Sequence, residues 1–201
     1  TPVGRPRLGD YIAAPLSVMS TTAWKRTAGP LLRYDTVDEQ GTYHAFVLVI
    51  TEHAKQAGAV APPTLVYAAQ ATAPGMTPQT VGNAMQSQGV RLWVYDDREH
   101  DASQYFWRFK IEVPMRDSAQ MVTYRVTDVT EPFSFHMPAR NENFHWATHS
   151  CNGFSSGTPE EEWGGRDPLW RDMLKEHEKA PFHMVMGGGD QSAFGRVSVR
   201  D

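Results

Sequence analysis

The residues best placed to do chemistry are Cys151 and Asp190, because each follows an apolar run at a point where glycine interrupts it. The run before Asp190 is Phe182–Met186, closed by the three glycines 187–189, and Cys151 is the single cysteine of the chain. Open α/β folds place ligand and metal sites at the carboxyl ends of such strands. A thiolate and a carboxylate that meet there suit a transition metal, since soft sulfur argues against a pure magnesium or calcium site.

Both residues also have an ordinary structural interpretation, and the histidines offer a competing site. A lone cysteine is among the most buried residue types, and an aspartate after a strand often caps a helix. His145, His149 and Cys151 share one face of a predicted strand. At that spacing His145 and His149 lie about 13 Å apart, too far to share one ion. An ion shared by His149 and Cys151 stays open, but His149 is favoured as a structural or ligand-supporting residue, and His183 as a satisfied core histidine.

The spacing of apolar residues, which predicts the strands and helices that must position these residues, changes near residue 140. Residues 29–140 contain at least six short β-branched and aromatic segments; in one of them, Tyr105–Val113, apolar and charged side chains alternate. Alternation is typical of strands with one solvent-exposed face, and the regular spacing of the segments predicts an antiparallel β-sandwich. Residues 1–28 are predicted to be a flexible leader, and residues 69–89 a long mobile loop.

Residues 141–201 predict a strand, a helix and a second strand. Phe144–Cys151 is the first strand, and Asp167-Pro168 starts the helix, with Asp167 as the capping side chain. One face of this helix is apolar and consists of Leu169, Trp170, Met173, Leu174 and His177. The apolar run Phe182–Met186 is predicted to be a buried strand parallel to the first.

Length, charge and cysteine content limit the number of domains, the kinds of partner and the compartment that are expected. The 201 residues can hold one large domain, or one domain and part of another. The net charge of −4 gives no reason to expect a nucleic-acid or anionic-membrane partner. No apolar run reaches about 18 residues, so no membrane-spanning helix is predicted. The single cysteine excludes an internal disulfide and favours a reducing compartment such as the cytoplasm, while secretion stays open.

Several motifs, in their order and spacing, resemble fungal PhoD-like phosphatases. The resemblance covers roughly residues 29–191, and the segments that carry it are Gly29–Glu39, Phe106–Phe109, Trp146–Ser155, Asp167–Leu174 and Pro181–Gln191. It implies a β-rich domain followed by the opening βαβ unit of an α/β metallophosphoesterase domain of alkaline phosphatase D type.

The resemblance implies hydrolysis of phosphate monoesters or diesters, in which metals activate a water and stabilise charge on the phosphate. In bacterial members a cysteine and an aspartate at strand ends bind ferric iron, and calcium completes the cluster. By position those ligand roles fall on Cys151 and Asp190. The residues that would support them are His149, Asn152 and Gln191.

Two departures from the family pattern bear on activity. The family has a tyrosine ligand where this chain has Ala193, and its later Asn, Asp and His ligands have no counterpart here. We therefore expect residues 141–201 to be an incomplete start of the phosphatase domain, with a truncated or mis-joined tail over 192–201. The chain alone is expected to have little or no activity, with a phosphoester as substrate if the site is completed. The alternative is a β-sandwich interaction module with a residual catalytic fragment.

Overall fold

The chain divides into two compact units, Thr1–Asn141 and Glu142–Asp201. A computed structural model describes residues 24–54, 60–72, 79–80, 84–97, 101–126, 131–151, 153–154 and 157–189. Most of the predicted leader, and Asn152, Asp190 and Gln191, lie outside these described residues.

The described part of the first unit forms nine strands in two antiparallel sheets. The strands are β1 (Trp24–Val37), β2 (Thr42–Ala54), β3 (Thr64–Ala71), β4 (Gln79–Thr80), β5 (Met85–Gln88), β6 (Val90–Asp97), β7 (Ala102–Pro114), β8 (Gln120–Val126) and β9 (Phe133–Met137). One sheet has the order β1-β2-β7-β6, and the other the order β4-β3-β8-β9, with β5 also paired to β3. This arrangement confirms the predicted antiparallel sandwich.

The core of the sandwich is built on the pairing of β2 with β7. The two strands pair without a break from Thr42 opposite Pro114 to Ala54 opposite Ala102. On their inner face every second residue is buried: Tyr43, Ala45, Val47, Val49, Trp107, Phe109, Ile111 and Val113. Each large apolar side chain buried in this way contributes about 1.5–3 kcal/mol. The Tyr43 ring stacks on Phe135 of the other sheet, with centroids 5.6 Å apart.

The first strand begins inside the predicted leader, so that prediction is wrong for residues 24–28. These residues pair with β2, from Trp24 opposite His53 to Ala28 opposite Ile50. The strand is irregular at Gly29, where φ is +89° and a Cβ would collide with the carbonyl oxygen of Leu48. Pairing with β2 makes this segment a strand, although its own sequence pattern is weak.

The predicted loop over residues 69–89 is also wrong in part, because β3 runs to Ala71 and β5 lies within the range. Strand β5 pairs with β3 from Thr64 opposite Gln88 to Tyr67 opposite Met85. Its polar composition suggested a loop, yet its backbone is paired and the Ser87 hydroxyl accepts the Lys110 amide proton at 3.1 Å. Backbone hydrogen bonds, rather than apolar side chains, make it a strand.

The second unit has two strands, a 3-10 helix and one α-helix among its described residues. They are β10 (Trp146–His149), the 3-10 helix Glu160–Trp163, α1 (Pro168–Lys179) and β11 (Met184–Gly187). Strands β10 and β11 pair in parallel, from Trp146 opposite Met184 to His149 opposite Gly187. In the described residues, no helix is long and apolar enough to cross a membrane.

The burial expected for the helix and the second strand is partly wrong. On α1, Trp170, Met173 and His177 are half-buried, but Leu169 is 80% exposed and Leu174 is 62% exposed. On β11, where a buried strand was expected, Val185 and Met186 are exposed. A two-stranded sheet and one helix cannot cover both of their faces, so these apolar side chains stay in contact with water.

The buried indole of Trp107 provides a test of the sandwich core. Its Nε1–H group donates to the buried Thr51 hydroxyl at 2.8 Å, and Thr51 Oγ1 also lies 2.8 Å from His53 Nε2. Thr51→Val keeps the side-chain shape but leaves the indole N–H without this acceptor. We expect the free energy of unfolding to fall by about 1–3 kcal/mol in urea denaturation.

The matched control is Thr36→Val, because Thr36 is an exposed residue of β1. There the change should stay within about 0.5 kcal/mol. Equal losses at the two positions would contradict a specific role for the Thr51 hydroxyl.

Candidate functional site

The carboxyl ends of β10 and β11 meet at one edge, and backbone hydrogen bonds continue their pairing beyond the strands. The Gly188 amide donates to the His149 carbonyl at 2.7 Å, and the Cys151 amide donates to the Gly189 carbonyl at 3.2 Å. Cys151 is therefore held beside the residue that precedes Asp190. The side chain of Asp190 lies outside the described residues, so its meeting with Cys151 stays a prediction.

Cys151 lies in a turn rather than on the strand. Strand β10 ends at His149, and Cys151 has a φ of +61°, a left-handed conformation that is uncommon for residues other than glycine. The prediction that Cys151 continues the strand face of His149 is wrong, since the turn changes its direction. The cysteine is exposed, and the His149 Nδ1 atom lies 3.3 Å from its carbonyl oxygen. Strained residues of this kind are frequent at functional sites.

A pocket of about 300 Å³ opens beside Cys151. Its walls come from the end of β10, the following turn and the first turns of α1. The lining residues are Thr148, His149, Ser150, Cys151, Gly153, Phe154, Arg166, Asp167, Pro168, Leu169, Trp170 and Met173. The volume lies at the lower end of the range for small-molecule sites.

Asp167 does not cap the helix with its side chain, contrary to the prediction. No side-chain capping hydrogen bond forms at this position. Instead, Arg171 donates to Asp167 Oδ1 from Nε at 3.0 Å and from Nη2 at 2.7 Å. Arg171 Nη2 also donates to the Gly164 carbonyl at 2.7 Å. The Asp167–Arg171 ion pair is half-exposed and adds little stability. Together with the bond to Gly164, it connects the turn before α1 to the first turns of the helix.

Trp170 is one of the pocket residues that were not predicted for the site, because its helical spacing suggested a core position. Its ring lies edge-on to His149, with centroids 4.8 Å apart. A signal was present in the sequence: a helix that follows a strand in a βαβ unit begins at the carboxyl edge of that strand. Residues 166–170 could therefore have been placed near Cys151.

Cys151 is the only residue of the predicted ligand pair that the structure describes. Among the described residues, no group of three or more His, Cys, Asp or Glu side chains could hold a metal ion. A thiolate is a suitable ligand for iron or another transition metal, but a catalytic centre needs further protein ligands.

Comparison with known proteins supports a phosphatase relationship for part of the chain. Residues 113–198 match the family model described as PhoD related phosphatase. Over these residues the chain is similar to the PhoD phosphatases. The match confirms the resemblance from residue 113 onwards, which includes the positions of Cys151 and Asp190. It also continues through residues 192–198, which does not support a mis-joined tail there. Among curated proteins, an uncharacterized protein of Saccharomyces cerevisiae (YGR266W) is 31% identical over 165 residues.

The aligned region of the yeast relative covers 81% of this chain but 22% of the yeast protein. The chain thus spans about a fifth of the length of the curated relative that it matches. The activity of a whole phosphatase is therefore only proposed for this chain, below.

Three histidines, His145, His177 and His183, lie close to Phe182 near the amino ends of β10 and β11. The Nδ1 atom of His183 accepts the His145 amide proton at 2.9 Å, and the Nδ1 atom of His177 accepts the Phe182 amide proton at 3.0 Å. The Phe182 ring stacks on His145, with centroids 4.5 Å apart, and on His177, at 6.1 Å. Both acceptor histidines must be unprotonated at Nδ1 for these hydrogen bonds to form.

The pKa of His183 is shifted below its ordinary value. Burial is the largest cause, the neighbouring His145 and His177 also lower the pKa, and Glu142 raises it. Because the folded-state pKa is depressed, the unfolded chain takes up a proton first as pH falls. The contribution of His183 to stability is therefore present above about pH 6.5 and is lost as pH falls through the folded-state pKa.

Lowering the pH from 7.5 to below the folded-state pKa of His183 should reduce the hydrogen-exchange protection factor of the His145 amide, because a protonated His183 cannot accept its proton. His183→Asn places a carbonyl oxygen near the same position and does not titrate, so its protection factor should depend less on pH. The measurement is amide exchange followed by NMR. The same pH dependence in both proteins would contradict the role assigned to His183.

Proposed function

We propose that residues 142–201 carry part of a metal-dependent phosphoester hydrolase, with Cys151 and Asp190 as metal ligands. The observation that carries this proposal is the hydrogen bond from the Cys151 amide to the Gly189 carbonyl. It holds the cysteine beside the residue before Asp190. The family match over residues 113–198 supports the phosphatase relationship. By the resemblance, the metals are iron and calcium, and the substrates are phosphate monoesters or diesters.

The surroundings of the strand ends suit a phosphate group. A Cβ atom added at Gly153 or Gly189 would meet no described heavy atom within 4 Å, so the described residues leave space beside both glycines. A bound metal would supply positive charge for the phosphate oxygens and activate a water. His149 supports the cysteine through its contact with the Cys151 carbonyl. Asn152 and Gln191 are proposed as further supporting residues from their positions in the sequence.

We also propose that the chain by itself hydrolyses little or no phosphoester. The resemblance assigns it two protein ligands, and two ligands do not hold a catalytic metal cluster. The alternative function, a β-sandwich interaction module, requires no metal at Cys151.

Metal content tests the ligand assignment. The purified chain is incubated with ferric iron and calcium, desalted, and analysed for bound metal. Cys151→Ala and Asp190→Asn should each lower the iron retained by about tenfold or more, because each removes a direct ligand. Asp167→Asn is the matched control, since its carboxylate lines the same pocket but is paired with Arg171, and it should retain iron as the unaltered chain does.

Hydrolysis of p-nitrophenyl phosphate and of its bis-ester is measured on the same proteins. Iron retention that is unchanged in Cys151→Ala would overturn the ligand proposal and favour the interaction module. Turnover that disappears in both ligand variants would overturn the proposed inactivity while supporting the site.

A further inference from the structure

We infer that the pocket beside Cys151 binds the apolar organic group of the phosphoester, so that the site prefers esters of aromatic alcohols to those of small alkyl alcohols. This inference rests on the proposed function, since it places the phosphate at the edge that carries Cys151. The pocket and this strand end share lining residues, so one ligand can occupy both.

The walls of the pocket are largely apolar. Pro168, Leu169, Trp170 and Met173 come from the start of α1, and Phe154 comes from the turn after β10. An apolar cavity of about 150 Å³ is enough to hold benzene. A pocket of about 300 Å³ therefore has room for one aromatic ring and the atoms that join it to a phosphate.

The indole of Trp170 is linked to the strand end that carries the cysteine. His149 contacts the indole edge-on at 4.8 Å, and the same histidine lies within hydrogen-bond distance of the Cys151 carbonyl, at 3.3 Å. Edge-to-face contacts of this kind have a preferred geometry, so they orient the ring. Because His149 contacts both the Trp170 indole and the backbone of Cys151, it holds the aromatic wall of the pocket at a set distance from the proposed phosphate position.

The charged groups of the pocket already have partners. Arg166 is exposed and pairs with Glu160 at 3.0 Å, while Asp167 pairs with Arg171 at 2.7 Å. One cation and one anion therefore line the pocket, and each is neutralised by a neighbouring residue. This balance suits the uncharged part of an ester, whereas the phosphate must be bound at the strand ends.

Binding of two phosphodiesters of equal charge tests the inference. The dissociation constants of diphenyl phosphate and dimethyl phosphate are measured by NMR titration of the full chain without added metal. We expect diphenyl phosphate to bind about tenfold more tightly, the ratio that corresponds to one or two aromatic contacts. Trp170→Ala should reduce this preference to about threefold or less, and Trp170→Phe should keep most of it.

Trp163→Ala is the control, because Trp163 is a tryptophan of the same unit that is exposed and does not line the pocket. It should leave the preference unchanged. Met173→Ala removes a different part of the wall and should lower the preference as well, which keeps the test valid if Trp170→Ala does not fold.

Equal affinity for the two diesters, or a preference that survives both Trp170→Ala and Met173→Ala, would overturn the inference. The metal measurements separate this failure from that of the proposed function. A chain that binds iron through Cys151 but does not prefer diphenyl phosphate would refute the inference about the pocket and leave the proposed metal ligands standing. A diphenyl preference that depends on Trp170, in a chain that retains no iron, would support the pocket and refute the metal ligands.

Discussion

The parallel pairing of β10 with β11 is the constraint on which the candidate site depends. Because the strands run in the same direction, their carboxyl ends meet at one edge, and the Cys151 amide reaches the Gly189 carbonyl there. Helix α1 begins near this edge, where the Trp170 ring contacts His149. An antiparallel pair would have placed Cys151 and Gly189 at opposite ends.

The two units are stabilised in different ways. The sandwich has a continuous buried core between its sheets, built on β2 and β7. In the second unit, none of the described side chains is fully buried. Its geometry depends on backbone hydrogen bonds at both ends of the strands and on ring contacts, those around Phe182 and that between His149 and Trp170. Local interactions of this kind are sensitive to single substitutions and to the protonation of histidine.

Much of the fold could be predicted from local patterns, and the failures have a common cause. The alternation over Tyr105–Val113 identified β7, which runs from Ala102 to Pro114. In contrast, β5 and the start of β1 carry little apolar alternation and are strands because β3 and β2 pair with them. The backbone amide of a residue can hydrogen-bond to a strand that is distant in sequence, whatever side chain the residue carries. The hydrophobic pattern of such a segment therefore does not predict that it is a strand.

Side-chain periodicity and motif spacing are local properties of the chain, and they were enough to predict the sandwich, the family resemblance, and Cys151 and Asp190 as candidate ligands. The three-dimensional structure was needed to show that Trp170 lines the pocket, that Cys151 leaves the strand in a left-handed turn, and that Asp167 pairs with Arg171 instead of capping α1. These outcomes depend on the path of the backbone between elements. That path is set by pairing and packing between segments that are distant in sequence, and periodicity does not encode it.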